Sequence, residues 1–488
     1  MLALLRRLAA GGAAYQASGL LAAGLALVTL PLYTRELSPA DFGVAETLLT
    51  FIILASILLR AGLGEALVRH WFADEDPERR ARLARTTAWA VAATTTVAVL
   101  AALPLAGDLG RLLVDREDAG LARIALLGVW AFANLEVAYA LLRVQERRRT
   151  YLAASLANVV LTVSLTVTLV VGLDQGARGY LAGNYAASAA VLLGLWWTLR
   201  GLLADRGRVG LGALLRFGGP TIAADAAFFA LNVVDRVYLL RARGAAAAGL
   251  FALAVKLATI VILAVRGFQL AWPPLVYSVT DDEQARRLYA AVTTWYVVVA
   301  GLVVAALALL GRWVVRLLAA PAFFDAHEAL PWVALGWALY GLLLVLVTVG
   351  GRAGVTIRNV PAALAGLAAN VTALVLLVPA LGVAGAGIAL CAAYAVVLVV
   401  LHLLTRSLFA VRFEWRRLAH AAGICAAVAV AGELLLPADG AGGFAARVAA
   451  WTAIPALLVA TRFATSVERS ALTRLRRAAG TEAPETDH

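Results

Sequence analysis

Arg60 and Arg266 are the residues of this chain whose type and placement could do chemistry. Each stands inside a long apolar run, and Arg60 has no charged residue within four positions on either side. A charge at membrane depth costs about 2.5–3.5 kcal/mol on insertion scales, so it is expected to face a partner or a wet gap rather than lipid. A guanidinium presents a planar fork of donors that matches two oxygens of a phosphate or carboxylate. Both arginines are therefore read as lining a gap where they can bind an anion, in preference to snorkelling toward headgroups. Lys256, the only lysine, lies ten residues before Arg266, about 80° around a helix at 100° per residue. It fits two roles equally: one rung of a basic ladder with Arg266, or the partner of an acid on a neighbouring helix, such as Asp235.

Further polar residues share these runs. Glu46 lies 14 residues before Arg60, close to four helical turns and so nearly on the same face. It is either an acid of the gap or an interfacial residue. Asp225, Asn232, Asp235 and Arg236 share one apolar run. At 100° per residue, Asn232 and Arg236 each fall within about 20° of the direction of Asp225, which makes a polar stripe suited to lining a path. Asp225 is the deeper acid and a candidate for proton or sodium coupling. Asp235 with Arg236 is a candidate gate pair, or two charges at headgroup level.

Other chemistries lack their residues. The five histidines are scattered, and Cys391 and Cys425 lie in separate apolar runs. That pattern suggests no disulfide, no metal site and no catalytic set. No phosphate-binding glycine loop is present, so neither an enzyme nor direct ATP drive is expected, and no cofactor is implied.

The elements that must hold these residues are plain in the composition. The chain has 488 residues, 62% hydrophobic and 15% charged, with mean hydropathy +0.86. Soluble domains run near 45–50% apolar and about 25% charged. Apolar segments fall at 13–33, 42–72, 86–106, 121–143, 151–173, 179–199, 215–240, 248–276, 288–311, 330–350, 360–380, 384–405, 418–437 and 445–461. These lengths fit helices and not barrel strands. The expected fold class is all-α: a polytopic membrane protein of about fourteen transmembrane helices. The first run follows Arg6 and Arg7 and continues to Leu32, too long for a signal peptide core, so it is read as an uncleaved span.

The net charge of +12 is read as topology rather than nucleic-acid binding. One set of loops carries Arg79, Arg80, Arg82 and Arg85, then Arg147, Arg148 and Arg149, then Arg406, Arg412, Arg416 and Arg417, while the alternate loops are poorer. The positive-inside rule makes the basic set cytoplasmic and puts both termini inside. The aromatics near helix ends, Trp197, Trp272 and Trp415 among them, fit an interfacial belt.

A weak repeat runs through the chain. At an offset of 206, Arg35 matches Arg241, Gly43 matches Gly249 and Arg60 matches Arg266. Asn158 matches Asn370 at 212, and Gly176 and Tyr185 match Gly385 and Tyr394 at 209. Six spans per unit imply parallel repeats about an axis along the membrane normal, with substrate between them. The expected division is two pseudo-symmetric six-helix lobes, 1–206 and 207–410, two extra helices over 411–462 and a cytoplasmic tail over 463–488.

Six stretches carry a resemblance. PLYTRELSPADFG with GLGEALVRHWF, and RFGGPTIAADAAFFALNVVDRVYLL with GLFALAVKLATIV, are similar to the first two and the seventh and eighth spans of the oligosaccharide-lipid flippases of polysaccharide export. APAFFDAHEALPWVALG and ANVTALVLLVPALGVAGAGIALCAAYA resemble that family's segment before the tenth span and its eleventh and twelfth. The family shares a superfamily with multidrug exporters and peptidoglycan-precursor flippases. The resemblance implies two six-helix lobes plus two helices, working by alternating access. It implies a polyprenyl-diphosphate-linked oligosaccharide as cargo, turned across a bacterial inner membrane for surface polysaccharide synthesis. Basic residues on the second and eighth helices of such flippases would match Arg60, Arg266 and Lys256. Membrane lipids are the expected surroundings, with a polysaccharide polymerase and glycosyltransferases as neighbours and no nucleic acid. The first span lacks the basic residues that peptidoglycan-precursor flippases carry there, which favours a polysaccharide unit. The rival is a cation-coupled multidrug exporter, which would want an acid-rich or Met-rich pocket; the chain has one Met.

Overall fold

A computed structural model describes residues 24–204, 209–279, 281–352, 358–463 and 465; several side chains of 213–278, those of Asp225, Asn232 and Arg266 among them, lie outside the described residues. Residues 24–36 form α1. There follow α2 (Pro39–Arg60), α3 (Leu63–Ala73), α4 (Pro77–Ala102), α5 (Ala106–Val114), α6 (Ala119–Val144), α7 (Arg148–Val167), α8 (Gly176–Thr198) and α9 (Arg200–Leu203). The remainder is α10 (Leu211–Arg243), α11 (Ala245–Leu257), α12 (Thr259–Ser278), α13 (Asp282–Leu318), α14 (Leu330–Arg352), α15 (Asn359–Thr405), α16 (Trp415–Leu435) and α17 (Gly440–Ala460). Among the described residues there is no strand, and nine helices are long and apolar enough to cross a membrane. Large apolar side chains such as Leu434, Leu435 and Val459 face outward, 76–79% exposed, as a lipid-facing surface requires. The chain is a polytopic all-α membrane protein.

Two of the expected spans are redrawn: the run 248–276, read as one helix holding Lys256 and Arg266, is parted at Ala258 into α11 and α12, and 42–72 is broken as well. The run 42–72 is not one helix: α2 stops at Arg60, Ala61 and Gly62 take left-handed φ of 51° and 66°, and α3 starts afresh. Gly62 is needed there for space as well as for φ. A Cβ on it would sit 2.7 Å from the Cα of Gly218 in α10, and closer still to that residue's carbonyl. Conversely α15, 47 residues of helical hydrogen bonding, would be about 70 Å long if straight, more than twice a bilayer core. It turns at Gly382 (φ 56°, ψ −130°), which restores the two spans read at 360–380 and 384–405.

By contacts the chain divides into two compact units. One holds Met1–Pro274 and Val314–Phe409, the other Leu275–Trp313 and Ala410–His488. In the first unit, packing recurs at the spacing of the repeat. Tyr185 meets Phe132 with ring centroids 6.4 Å apart, and Tyr394 meets Tyr340 at 5.6 Å. Gly128 makes room for Tyr185 as Gly336 makes room for Leu390. Gly128 to Gly336 and Phe132 to Tyr340 are both steps of 208 residues. In the second unit, Arg447 of α17 is 1% exposed and binds the α16 end that would otherwise leave carbonyls orphaned. It donates to the carbonyls of Pro437 (3.1 Å), Leu436 (3.4 Å) and Leu309 (3.2 Å) and pairs with Glu433. Trp272, expected in the interfacial belt, is instead 1% exposed and donates to Thr348 at 2.9 Å; Trp197 and Trp415 are exposed as expected.

One end of the first unit is tied by charge. Ser38 caps α2 by accepting from the Asp41 amide, and Asp41 pairs with Arg116 at 3.0 Å. Asp118 caps α6 through Leu121 N and takes both Nε and a terminal nitrogen of Arg178. Partial burial pushes the Asp118 carboxyl up, but the hydrogen bonds from Arg178 and the cap amides outweigh it and hold the carboxyl below its ordinary range. A carboxyl depressed in the folded state stabilises it above the unfolded pKa, near 4, and loses that contribution as pH falls through the folded value. Asp118→Ala should therefore cost about 1 kcal/mol at neutral pH through the lost cap. The gap from wild type in thermal midpoint should narrow below pH 4.

Candidate functional site

The polar residues of the first unit collect along α2. Its start is set by the Ser38 cap and by Pro39 at the first helical position, where a missing N–H costs nothing. From that fixed start, Glu46 lies near one end and Arg60 closes the other, separated by about 21 Å at 1.5 Å per residue and on nearly the same face.

At the first position the Glu46 side chain is buried, 6% exposed, and is met from two helices. Lys256 of α11 brings its ammonium to 3.0 Å from Oε1, and Tyr180 of α8 donates its hydroxyl to the same oxygen at 2.9 Å. Arg236 of α10 reaches the backbone carbonyl of Glu46 at 3.5 Å. The walls are aromatic: Tyr33 and Phe42 pack on Tyr180, and Phe42 meets Phe323 edge to face at 5.6 Å. The Lys256 ammonium also lies 5.9 Å above the Phe42 ring. A buried pair repays its desolvation only when its remaining hydrogen bonds are made; here the tyrosine supplies one, and the Lys256 side chain is left 26% exposed.

What brings α11 so close to α2 is glycine. A Cβ on Gly43 would lie 2.6 Å from the Gly249 nitrogen, and one on Gly249 would lie 3.1 Å from the Gly43 nitrogen and nearer still to the Pro39 carbonyl. The two glycines matched across the repeat are thus the point where the matched helices touch. The same end carries Ala320 N donating to Thr34 at 3.1 Å, and Arg241 donating to the carbonyl of Leu112.

At the second position Arg60 donates Nε to the Ser56 carbonyl at 3.2 Å and sets a terminal nitrogen 3.9 Å from Glu136 of α6. It also ends α2, where a cation favours the negative pole of the helix.

Of the two roles open to Lys256, the pairing is formed, but with Glu46 in place of Asp235. Asp235 is 1% exposed and lies against Asn370 of α15 and Arg236. Adjacent positions on a helix point about 100° apart, so Asp235 turns toward α15 while Arg236 turns toward α2. Among the described residues, Asp235 Oδ1, Arg236 Nε and Asn370 Oδ1 are buried without a hydrogen-bond partner. Asp225, Asn232 and Arg266, the remaining candidates, lie outside the described side chains.

Two participants were not singled out from sequence. Glu136 is a lone acid in the apolar run 121–143, and the rule that picked out Arg60 would have found it. Tyr180 carries no mark in the sequence beyond its residue type; its buried hydroxyl, which must find a partner, is what identifies it.

Known proteins share the sequence family and the fold of this chain. A family model described as polysaccharide biosynthesis protein matches residues 8–278, more than half of the chain. No curated protein sequence matches it. Among solved structures, the chain is similar to the lipid II flippase MurJ in an inward closed conformation: TM-score 0.74, 11% identity, covering 92% of this chain and 98% of that one. It is similar to a multidrug resistance MATE family transporter of the MOP superfamily in an inward-facing conformation: TM-score 0.67, 18% identity, 81% and 95% covered. A MOP superfamily transporter from Pyrococcus furiosus, described by the reverse polarity of its binding pocket, gives TM-score 0.55 at 16% identity, with 82% and 93% covered. At these identities the shared property is the fold.

Proposed function

We propose that this chain, which belongs to the polysaccharide biosynthesis protein family, is a flippase that turns a polyprenyl-diphosphate-linked oligosaccharide across a bacterial inner membrane. The observation that carries the reading is the pairing along α2. Two cations at membrane depth, Lys256 and Arg60, each rest beside a carboxylate, one at either end of a single helix face. An anionic headgroup can take over Arg60, whose carboxylate partner stands 3.9 Å away, beyond hydrogen-bond length.

In this mechanism the diphosphate docks on Arg60 and Arg266, its oxygens accepting from the guanidinium forks. Lys256 is the next cation along the path. The polyprenyl chain stays in the bilayer while the headgroup crosses. The two halves, 1–206 and 207–410, rock about the α2–α11 contact; the glycine touch and the recurring aromatic pairs support that division. The Arg distribution supports cytoplasmic termini, with loading from the cytoplasmic side. On α10, Asp225 is the candidate for cation coupling, and Asn232 and Arg236 are the candidates for a polar path. Glycosyltransferases would build the cargo and a polymerase would consume it.

The test is export of surface polysaccharide by Arg60→Ala and Arg266→Ala strains at matched protein levels. Each loses a charge-assisted contact worth about 1.5–3 kcal/mol, so export should fall about tenfold or more. Full export in both would remove the docking role. The MATE-like fold supports one rival, a cation-coupled drug exporter. It predicts lost resistance to cationic drugs in a deletion strain whose polysaccharide is intact.

A further inference from the structure

The two cation–carboxylate pairs on α2 are built differently. Glu46 holds Lys256 at hydrogen-bond length, is itself almost fully buried, and is fixed by Tyr180. Glu136 stands 3.9 Å from Arg60, beyond hydrogen-bond length, with the two side chains 30% and 20% exposed. Among the described residues Glu136 accepts no hydrogen bond, and Arg60 uses only Nε, on its own helix. Glu136 sits on α6 inside an apolar run that packs against α2, so its presence there is costly and needs a reason.

A bidentate carboxylate would occupy the donor fork of Arg60 and shut out any other anion. No carboxylate at all would leave a bare cation at membrane depth. A single carboxylate held at arm's length does neither: it offsets the charge and leaves the terminal nitrogens open. We propose that Glu136 is a displaceable counter-anion, standing in for a diphosphate group at Arg60 while the site is empty and repelling that group once it is bound. This rests on the reading of Arg60 as an anion site, and makes Glu136 the residue that sets affinity and release there. It predicts an opposite movement of binding and turnover: removing the Glu136 charge tightens binding, because nothing competes for Arg60, and slows transport, because nothing helps the anion leave.

The experiment measures binding of undecaprenyl diphosphate, and separately of inorganic pyrophosphate, to the full chain in phosphatidylcholine nanodiscs. Glu136→Gln should bind undecaprenyl diphosphate about tenfold tighter than wild type, and its export rate should fall at an unchanged protein level. The gain should vanish in the Arg60→Gln background. Glu136→Asp, which keeps the charge but draws it back from Arg60, should give a smaller gain and serves if the glutamine variant does not fold. A gain with both probes assigns the headgroup alone, and a gain with the lipid only assigns a lipid-borne anion; either upholds the role. Equal or weaker binding by a folded Glu136→Gln, where wild type binds, overturns the counter-anion role and leaves the flippase reading standing. So does a gain that persists without Arg60. No binding by wild type or variant overturns both.

Discussion

Lys256→Met should cost about 3 kcal/mol of stability and stop transport. Removing one partner of a buried ion pair typically costs about 3–5 kcal/mol, because the other charge is left uncompensated. The lower end applies, since Lys256 keeps 26% of its side chain exposed and its pairing is partly screened. Glu46, at 6%, has no such relief. The remaining contacts, the Tyr180 hydroxyl at 2.9 Å and the Arg236 guanidinium at the backbone carbonyl, do not replace an ammonium. Adding Glu46→Gln should recover most of the stability, because a neutral amide still accepts from Tyr180 without a buried charge. Exchanging the two residues should not recover it. Tyr180 donates toward position 46, and Arg236 lies close by, so a cation there would be opposed from two sides. Thermal unfolding in detergent of wild type, Lys256→Met, Glu46→Gln and the double variant, as a double-mutant cycle, and of the exchanged protein beside them, measures this. A Lys256→Met protein as stable as wild type would show that the pair contributes nothing.

Gly249→Val should be comparably severe for a steric reason. A Cβ at this position runs into the Pro39 carbonyl and comes within 3.1 Å of the Gly43 nitrogen. Both obstacles are backbone, so no rotamer change relieves them, and α2 and α11 must separate. Overpacking of this kind costs about 1–3 kcal/mol where side chains can adapt; with only backbone to move, the upper end or more is expected. The separation also opens the Glu46–Lys256 pair, three and seven residues along the same two helices. Two readouts distinguish a local clash from a parted interface. Thermal midpoint should drop, and a thiol introduced by Ala245→Cys, in a background without Cys391 and Cys425, should label faster in Gly249→Val than beside a native Gly249. Unchanged labelling with a lowered midpoint would confine the damage to packing. Gly43→Val, the matched position, should behave alike.

Some features of the site followed from residue type alone. Arg60 stood out because an apolar run cannot bury a guanidinium freely, and Gly43 with Gly249 stood out as a matched pair. Their meeting was not legible: matching positions in a repeat says that two helices are alike, not that they touch. The partner of Lys256 was equally out of reach. Asp235 and Glu46 are both acids on neighbouring spans, and the choice depends on how far each helix is rotated about its axis. Periodicity within one helix says nothing about that rotation relative to another. The break at Ala61–Gly62 was hidden for a different reason. An apolar run reads as continuous whatever its φ angles, and the signal, a glycine needed by α10, lies more than 150 residues away in Gly218.

The sequence by itself determined that this is a membrane-spanning helical protein, where its fourteen apolar segments lie, and which charged residues must find partners there. Those conclusions depend on the transfer cost of each side chain and backbone group into lipid, which is a property of the residue and its neighbours in the chain. The tertiary structure decided which partners they found: Glu46 with Lys256 and Tyr180, Arg60 with Glu136, Arg447 with the end of α16. Those depend on the distances between helices, and such distances are set by where glycines let two backbones meet.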